Sequence, residues 1–142
     1  MPPSRKGAET ARRTRRRVTG CRMAATILVA DDALFTRMML RNILSENGYS
    51  AIVEAETGAE AIWAYERWKP DLVIMDINMP EMDGMTAVRN ILRVDPDARI
   101  IICSALGEKQ LMLEALEEGV KDFITKPFQP DKVIEVITRV LT

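Results

Sequence analysis

The chain contains no histidine. Its 142 residues therefore offer no group for His-based acid–base catalysis, for a Ser-His-Asp hydrolase or for His-ligated zinc. Cysteine is almost as scarce: Cys21 and Cys103 are too few and too far apart for a zinc cluster or a disulfide framework. No apolar run approaches the roughly 20 residues that cross a bilayer, so no membrane association is expected. No internal repeat is visible. What is present is ordinary, with 47% apolar and 29% charged residues. A chain of this size buries roughly 70% of its unfolded surface and supports one domain with its own core. The composition is that of a soluble domain, expected in the cytoplasm.

The charge is split along the chain. Residues 1–22 carry Arg5, Lys6, Arg12, Arg13, Arg15, Arg16, Arg17 and Arg22 against Glu9 alone, whereas residues 23–142 hold 12 basic and 20 acidic groups. Such a basic head can be a disordered arm for nucleic acid or an anionic membrane, or it can take no part in the fold. Met23-Ala24-Ala25-Thr26-Ile27 stands directly before the first apolar run, which favours the second reading, with translation beginning at Met23. The segment has no apolar stretch of the kind a signal peptide needs. The expected organisation is a basic, disordered extension over 1–22 and one domain over 23–142.

From Thr26 onward, short apolar runs alternate with segments of helical period. Ile27–Ala30, Ala51–Val53, Leu72–Met75, Ile100–Cys103 and Phe123–Thr125 read as strands. Leu34, Met38, Ile43 and Leu44 mark the face of a first helix that ends at Asn47-Gly48, and Thr57-Gly58-Ala59-Glu60 has the form of a capping box opening a second that Lys69-Pro70 stops. A loop with Pro80 and Gly84 leads into a third helix carrying Val88, Ile91 and Leu92. A fourth runs from Leu111 to Glu118 and closes at Gly119, and a fifth is striped from Val133 to Leu141. The central strands are continuously apolar, as in a parallel sheet covered on both faces. The expected fold is α/β, a flavodoxin-like doubly wound five-stranded parallel sheet in the order 2-1-3-4-5.

Open parallel sheets bind ligands at the carboxyl ends of their strands near the switch point. The first strand ends in Asp31-Asp32, the third in Asp76, the fourth in Ser104 and the fifth in Lys126. Singly, each has a bland role: an Asp or Ser there commonly caps or turns, and a Lys is usually a solvated charge. Jointly they converge, and three carboxylates in one crevice repel each other unless a cation compensates. Mg²⁺ fits, because it takes oxygen ligands from a few carboxylates and keeps several waters. With Lys126, the set suits a metal and a phosphoryl group. Asp76, on the central strand beside the switch point, is the best candidate for a nucleophile that becomes an aspartyl phosphate.

At these residues the sequence resembles the receiver domains of two-component response regulators. The resemblance covers residues 24–142 and rests on Asp31-Asp32, on Met75 through Gly84, on Ser104-Ala105 and on Lys126-Pro127-Phe128. It implies that a histidine kinase phosphorylates Asp76. It also implies that Asp32 and Asp76 bind Mg²⁺ by side chain, Asn78 by its backbone carbonyl and Asp31 through water. Lys126 pairs with the phosphoryl group, and the Lys126–Pro127 bond is cis. Ser104 and Phe123 form a switch pair, in which the hydroxyl moves toward the phosphoryl group as the ring turns inward. The segments Asp31–Leu40, Cys103–Gly107 and Lys121–Gln129 are similar in particular to the stand-alone chemotaxis group of this family. Ile77 follows the acceptor where some relatives have Trp, so metal binding need give no tryptophan signal.

No sequence follows Thr142, so the expected output is phosphorylation-dependent protein binding by a monomer, with no enzymatic role beyond its own phosphorylation and dephosphorylation. By the resemblance the output surface is the fourth helix, fifth strand and fifth helix, with Lys109, Met112, Phe123 and Thr125 on it. The expected partners are a histidine kinase, a flagellar motor switch protein and a phosphatase. The alternative is a phosphorelay intermediate or phosphate sink with another partner, docking around Arg37 and Arg41 of the first helix. A flavin-binding protein would need a phosphate-binding loop where Asp31-Asp32 would repel the phosphate. Nucleic-acid binding is expected of residues 5–22 if at all, not of the receiver domain. Asn78 and Leu106 flank the path of an attacking water and are expected to tune dephosphorylation.

Overall fold

The apolar runs are strands and the periodic segments helices, in strict alternation. The computed structural model describes residues 25–79, 82–105 and 107–142. The basic segment 1–22, Pro80 and Leu106, all singled out above, lie outside these residues. In chain order the elements are β1 (Thr26–Ala30), α1 (Leu34–Glu46), β2 (Ala51–Ala55), α2 (Gly58–Trp68), β3 (Leu72–Asp76), α3 (Gly84–Val94), β4 (Ile100–Ala105), α4 (Lys109–Glu118), β5 (Asp122–Lys126) and α5 (Pro130–Leu141). The strands are parallel in the order β2-β1-β3-β4-β5. This is the doubly wound arrangement that the sequence predicts. Among the described residues no helix is long and apolar enough to cross a membrane.

Period-two alternation along buried strands divides the core into two slabs. Leu28, Val73, Met75, Ile100 and Ile102 face one side, where Ala61 and Tyr65 of α2, Val88 and Ile91 of α3 and Ala115 of α4 cover them. Ile27, Val29, Leu72, Ile74, Ile101 and Cys103 face the other, under Leu40, Ile43 and Leu44 of α1 and Val133 and Ile137 of α5. Most of these side chains are fully buried, and each apolar side chain of this size contributes about 1.5–3 kcal/mol by leaving water.

Local chemistry sets where the helices begin and end. Thr57 accepts a hydrogen bond from the Glu60 N–H at 3.1 Å, while the Glu60 carboxylate reaches back to the Glu56 N–H at 3.3 Å, a capping box displaced by one residue. Asp83 caps α3 by accepting from the Thr86 N–H at 2.8 Å. Gly119, at φ 119°, closes α4, and Lys69 takes a left-handed φ of 47° to end α2 before Pro70. The Lys126–Pro127 peptide is cis. Gly84 allows α3 to start against the end of β3. A Cβ there would lie 2.1 Å from the Asp76 carbonyl oxygen, and the Gly84 N–H donates to the Ile77 carbonyl at 2.8 Å.

Candidate functional site

The strand order makes β1 and β3 neighbours at the point where the chain reverses direction across the sheet. Ala30 is in register with Met75 and Asp76 with Cys103. Asp31 therefore leaves β1 level with Asp76 at the same edge of the sheet. Oxygen atoms of Asp31, Asp32 and Asp76 all lie within 4.8 Å of one another. Asp31 and Asp76 are buried and Asp32 is exposed, so the cluster opens to solvent on that side. From β5, the Lys126 ammonium reaches Asp31 Oδ2 at 3.0 Å and Asp76 Oδ1 at 3.4 Å. Asp31 Oδ1 accepts from the Ala33 N–H at 2.8 Å, and Asp76 Oδ1 accepts a longer bond from the Asn78 N–H at 3.3 Å.

The cluster is short of positive charge. Burial and the nearby Asp31 charge push the Asp76 carboxyl up to about 6, against the pull of Lys126 and the Asn78 N–H. Burial alone would lower Lys126. The hydrogen bond that Lys126 donates to Asp31 and the charges of Asp76 and Asp31 outweigh it and hold the ammonium above its usual range. One cation against three carboxylates leaves room for a second. The donors are all hard oxygens, which suit a small divalent cation rather than a thiophilic metal. Cys103, beside Asp76 on β4, is no ligand, because complete burial pushes its thiol far above the usual range. The Ser104 hydroxyl, on the same strand, is fully buried and has no hydrogen-bond partner among the described residues. Such an orphan costs about 1–3 kcal/mol, so an incoming acceptor would find an unpaired donor there.

The geometry therefore brings three carboxylates and a lysine together at the carboxyl edge of the sheet, where β4 also ends in Ser104. Comparison with known proteins gives the family. The response regulator receiver domain family matches residues 27–138. The chain belongs to that family. The chemotaxis protein CheY of Bacillus subtilis is 52% identical over 119 residues, covering 84% of this chain and 99% of that protein. CheY of Thermotoga maritima is 48% identical, covering 83% and 98%. Among solved structures, CheY in a CheX–CheY–BeF3–Mg²⁺ complex from Borrelia burgdorferi superposes with a TM-score of 0.80 at 38% identity, covering 83% of this chain and 90% of that one. This is a CheY-like receiver domain.

Several residues of the receiver lie where sequence reasoning puts them. Asp31, Asp32, Asp76 and Lys126 meet, with Asn78 two residues beyond Asp76. Ser104 pairs in register with Thr125 on β5, and Phe123 pairs with Ile102. Phe123 is half-buried against the slab that α4 covers, and Lys109 is exposed at the start of α4. Met112 departs from expectation: it is buried, only 8% exposed, and offers little area to a surface. Helical spacing turns it inward together with Ala115, while Leu113 and Leu116 are the exposed apolar residues of α4.

The phase of α1 is also corrected. Leu34 and Met38, expected on the buried face, are 60% and 51% exposed beside Phe35, and the inward stripe is Arg37, Leu40, Ile43 and Leu44. Arg37 is 6% exposed, whereas Arg41, with 42% of its side chain exposed, pairs with Glu54 at 2.7 Å. Sequence reasoning also misses a bridge across the mouth of the site, where the Asn78 side-chain amide donates to Glu108 at 2.8 Å. Neither contact has a local signal, since each joins residues from separate loops or elements.

Proposed function

We propose that this receiver domain is the phosphoacceptor of a chemotaxis two-component system, phosphorylated on Asp76 by a histidine kinase and signalling through phosphorylation-dependent binding to a flagellar motor switch protein. The observation that carries the reading is the Lys126 ammonium lying between Asp31 and Asp76, with Asp32 completing an acidic pocket. An Asp76 carboxylate oxygen attacks the phosphorus of the kinase phosphohistidine. The O–P bond forms as the P–N bond breaks, and the imidazole nitrogen leaves with the electron pair. Mg²⁺, held by Asp31, Asp32, Asp76 and the Asn78 carbonyl, would neutralise phosphoryl charge and favour the ionised, nucleophilic form of Asp76. Lys126 pairs with the phosphoryl oxygens, and the Ser104 hydroxyl turns to donate to one of them. Phe123 then repacks toward the slab beneath it. Water later attacks the acyl phosphate and returns Asp76, so the chain catalyses nothing beyond its own phosphorylation and dephosphorylation, with a phosphatase as the natural accelerator.

The output surface is α4, β5 and α5, where Lys109, Thr125, Leu113 and Leu116 offer both charge and apolar area. A partner that prefers the switched state gains affinity only by its difference between states, typically about 1–3 kcal/mol. The working state is a monomer in the cytoplasm. The test is an NMR titration of the full chain with Mg²⁺, then beryllofluoride, then a flagellar-switch N-terminal peptide. Beryllofluoride should shift Asp76, Ser104 and Phe123, and the peptide should then bind the α4–β5–α5 face more tightly. Activation without peptide binding would make a phosphorelay intermediate or phosphate sink the better account. No response to beryllofluoride in folded protein would remove the phosphoacceptor reading.

A further inference from the structure

Arg37 occupies a position where helical period calls for an apolar residue. It points inward with Leu40, Ile43 and Leu44, and its side chain is almost wholly buried. A buried guanidinium must be paired, because each uncompensated buried charge costs several kcal/mol. Its nitrogens are divided between two elements. Nε donates to Glu54 Oε1 of β2 at 2.9 Å, and Nη1 donates to the backbone carbonyl of Asp31 at 2.7 Å. Nη2 lies 3.7 Å from Glu56. Glu54 is gripped in turn from its other oxygen by Arg41, at 2.7 and 3.0 Å. Burial would raise the Glu54 carboxyl, but the hydrogen bonds from Arg41 and Arg37 hold it below its ordinary range.

The Asp31 carbonyl belongs to the peptide that links Asp31 to Asp32, so whatever fixes it fixes the direction in which the second acidic residue starts. Asp31 is otherwise held by its N–H to the Ala55 carbonyl at 3.0 Å and by its carboxylate to Ala33 and Lys126. Those bonds engage the N–H and the carboxylate of Asp31 but not its carbonyl oxygen. Arg37 holds the carbonyl, and the rigid fork of a guanidinium lets one side chain hold two acceptors at once. A buried ion pair is a poor means of adding stability, since apolar residues of equal volume usually do as well. Its value here is positional.

We propose that Arg37 is a positioning residue for the acidic cation pocket, fixing the Asp31–Asp32 peptide by bridging its carbonyl to Glu54 on β2. The proposal rests on the reading above that this pocket takes Mg²⁺. Groups that orient metal ligands without touching the metal typically govern about 10–100-fold in affinity. The experiment measures the Mg²⁺ dissociation constant of the full chain from amide shifts of Asp32 and Asp76, with melting temperature recorded in parallel. Arg37→Met should weaken Mg²⁺ binding about tenfold. Arg37→Lys keeps the charge but not the fork and should fail to restore it. Ile43→Val, a packing change in the same layer of α1, should lower the melting temperature with no change in Mg²⁺ affinity. Should Arg37→Met not fold, Glu54→Gln weakens the same bridge and should move the constant in the same direction. A folded Arg37→Met, or Glu54→Gln in its place, that binds Mg²⁺ like the wild type overturns the proposal while sparing the functional reading. A wild type whose Asp32 and Asp76 amides ignore Mg²⁺ overturns both.

Discussion

The side-chain amide of Asn78 donates to Glu108 Oε2 at 2.8 Å, joining the loop after β3 to the residue that precedes α4. Glu108 also accepts from the Ala105 N–H at 2.7 Å, so one carboxylate ties together both loops that frame Asp76 and Ser104. These two bonds hold the Glu108 carboxyl below its usual range. Both bonds are exposed to solvent, and we expect the bridge to screen the site from an attacking water. Glu108→Ala should therefore speed loss of the phosphoryl group, by up to about tenfold if one exposed charge-assisted bond of roughly 1.4 kcal/mol is removed. The extent of phosphorylation at saturating donor should stay the same. Time courses of ³¹P NMR after donor removal measure this, and an unchanged decay would show that the bridge does not screen the site.

Asp76 sets a second expectation, concerning pH. A carboxyl raised from 3.8 to about 6 binds its proton more tightly in the folded state than in the unfolded one. Stability of the metal-free protein therefore falls as pH rises from about 4 to about 6, and the penalty is complete above that window. Two pKa units correspond to at most about 3 kcal/mol. Asp76→Asn should abolish phosphorylation and raise the melting temperature in EDTA at pH 7.5, with the advantage shrinking toward pH 4.5. Equal effects at both pH values would mean that charge repulsion is not what Asn relieves.

Gly84 offers a steric test. A methyl group added there meets the Asp76 carbonyl oxygen at 2.1 Å and the Ile77 Cα at 2.7 Å, both backbone atoms that cannot swing aside. Gly84→Ala should cost more than about 2 kcal/mol, since either β3 or the start of α3 must move. Gly107, at φ 94°, has no atom of the described residues beyond its chain neighbours within 4 Å of an added Cβ, so conformational strain is the cost there. Gly107→Ala should cost about 1 kcal/mol. Urea denaturation of both variants decides the ranking.

Ser104 offers a test in which stability and signalling move apart. Its buried, unpartnered hydroxyl contributes nothing favourable to the resting fold. Ser104→Ala should leave the metal-free protein as stable as the wild type or up to about 1 kcal/mol more so. The beryllofluoride-induced shift at Phe123 should be largely lost. A full response at Phe123 in the alanine variant would separate the two residues.

Much of this is legible in the sequence because the signals are local. Continuous apolar runs such as Leu72–Met75 and Ile100–Cys103 announce buried parallel strands, and the residue ending each strand falls at the site by topology alone. Long-range contacts are not legible in this way. The first two turns of α1 are misread, while Ile43 and Leu44 are not, because a buried arginine takes the place of an apolar residue, its burial allowed by Glu54 on another element. Met112 and Leu113 are equivalent to any hydropathy argument, and the packing of α4 alone turns one inward and the other out. The Asn78–Glu108 bridge joins residues 30 apart in sequence, with no pattern to link them.

The two-slab core restricts how information can pass through the molecule. Phe123 pairs with Ile102 and shares a slab with Leu111 and Ala115, whereas its neighbour Ile124 belongs to the slab beneath α1 and α5. Motion of the Phe123 ring therefore acts directly on the α4 side of the sheet, and a change at α5 has to pass through the backbone of β5. Sequence drift among the apolar side chains of the α1–α5 slab, away from Arg37 and the outward side of α5, then acts on the lifetime of the folded chain more than on its response.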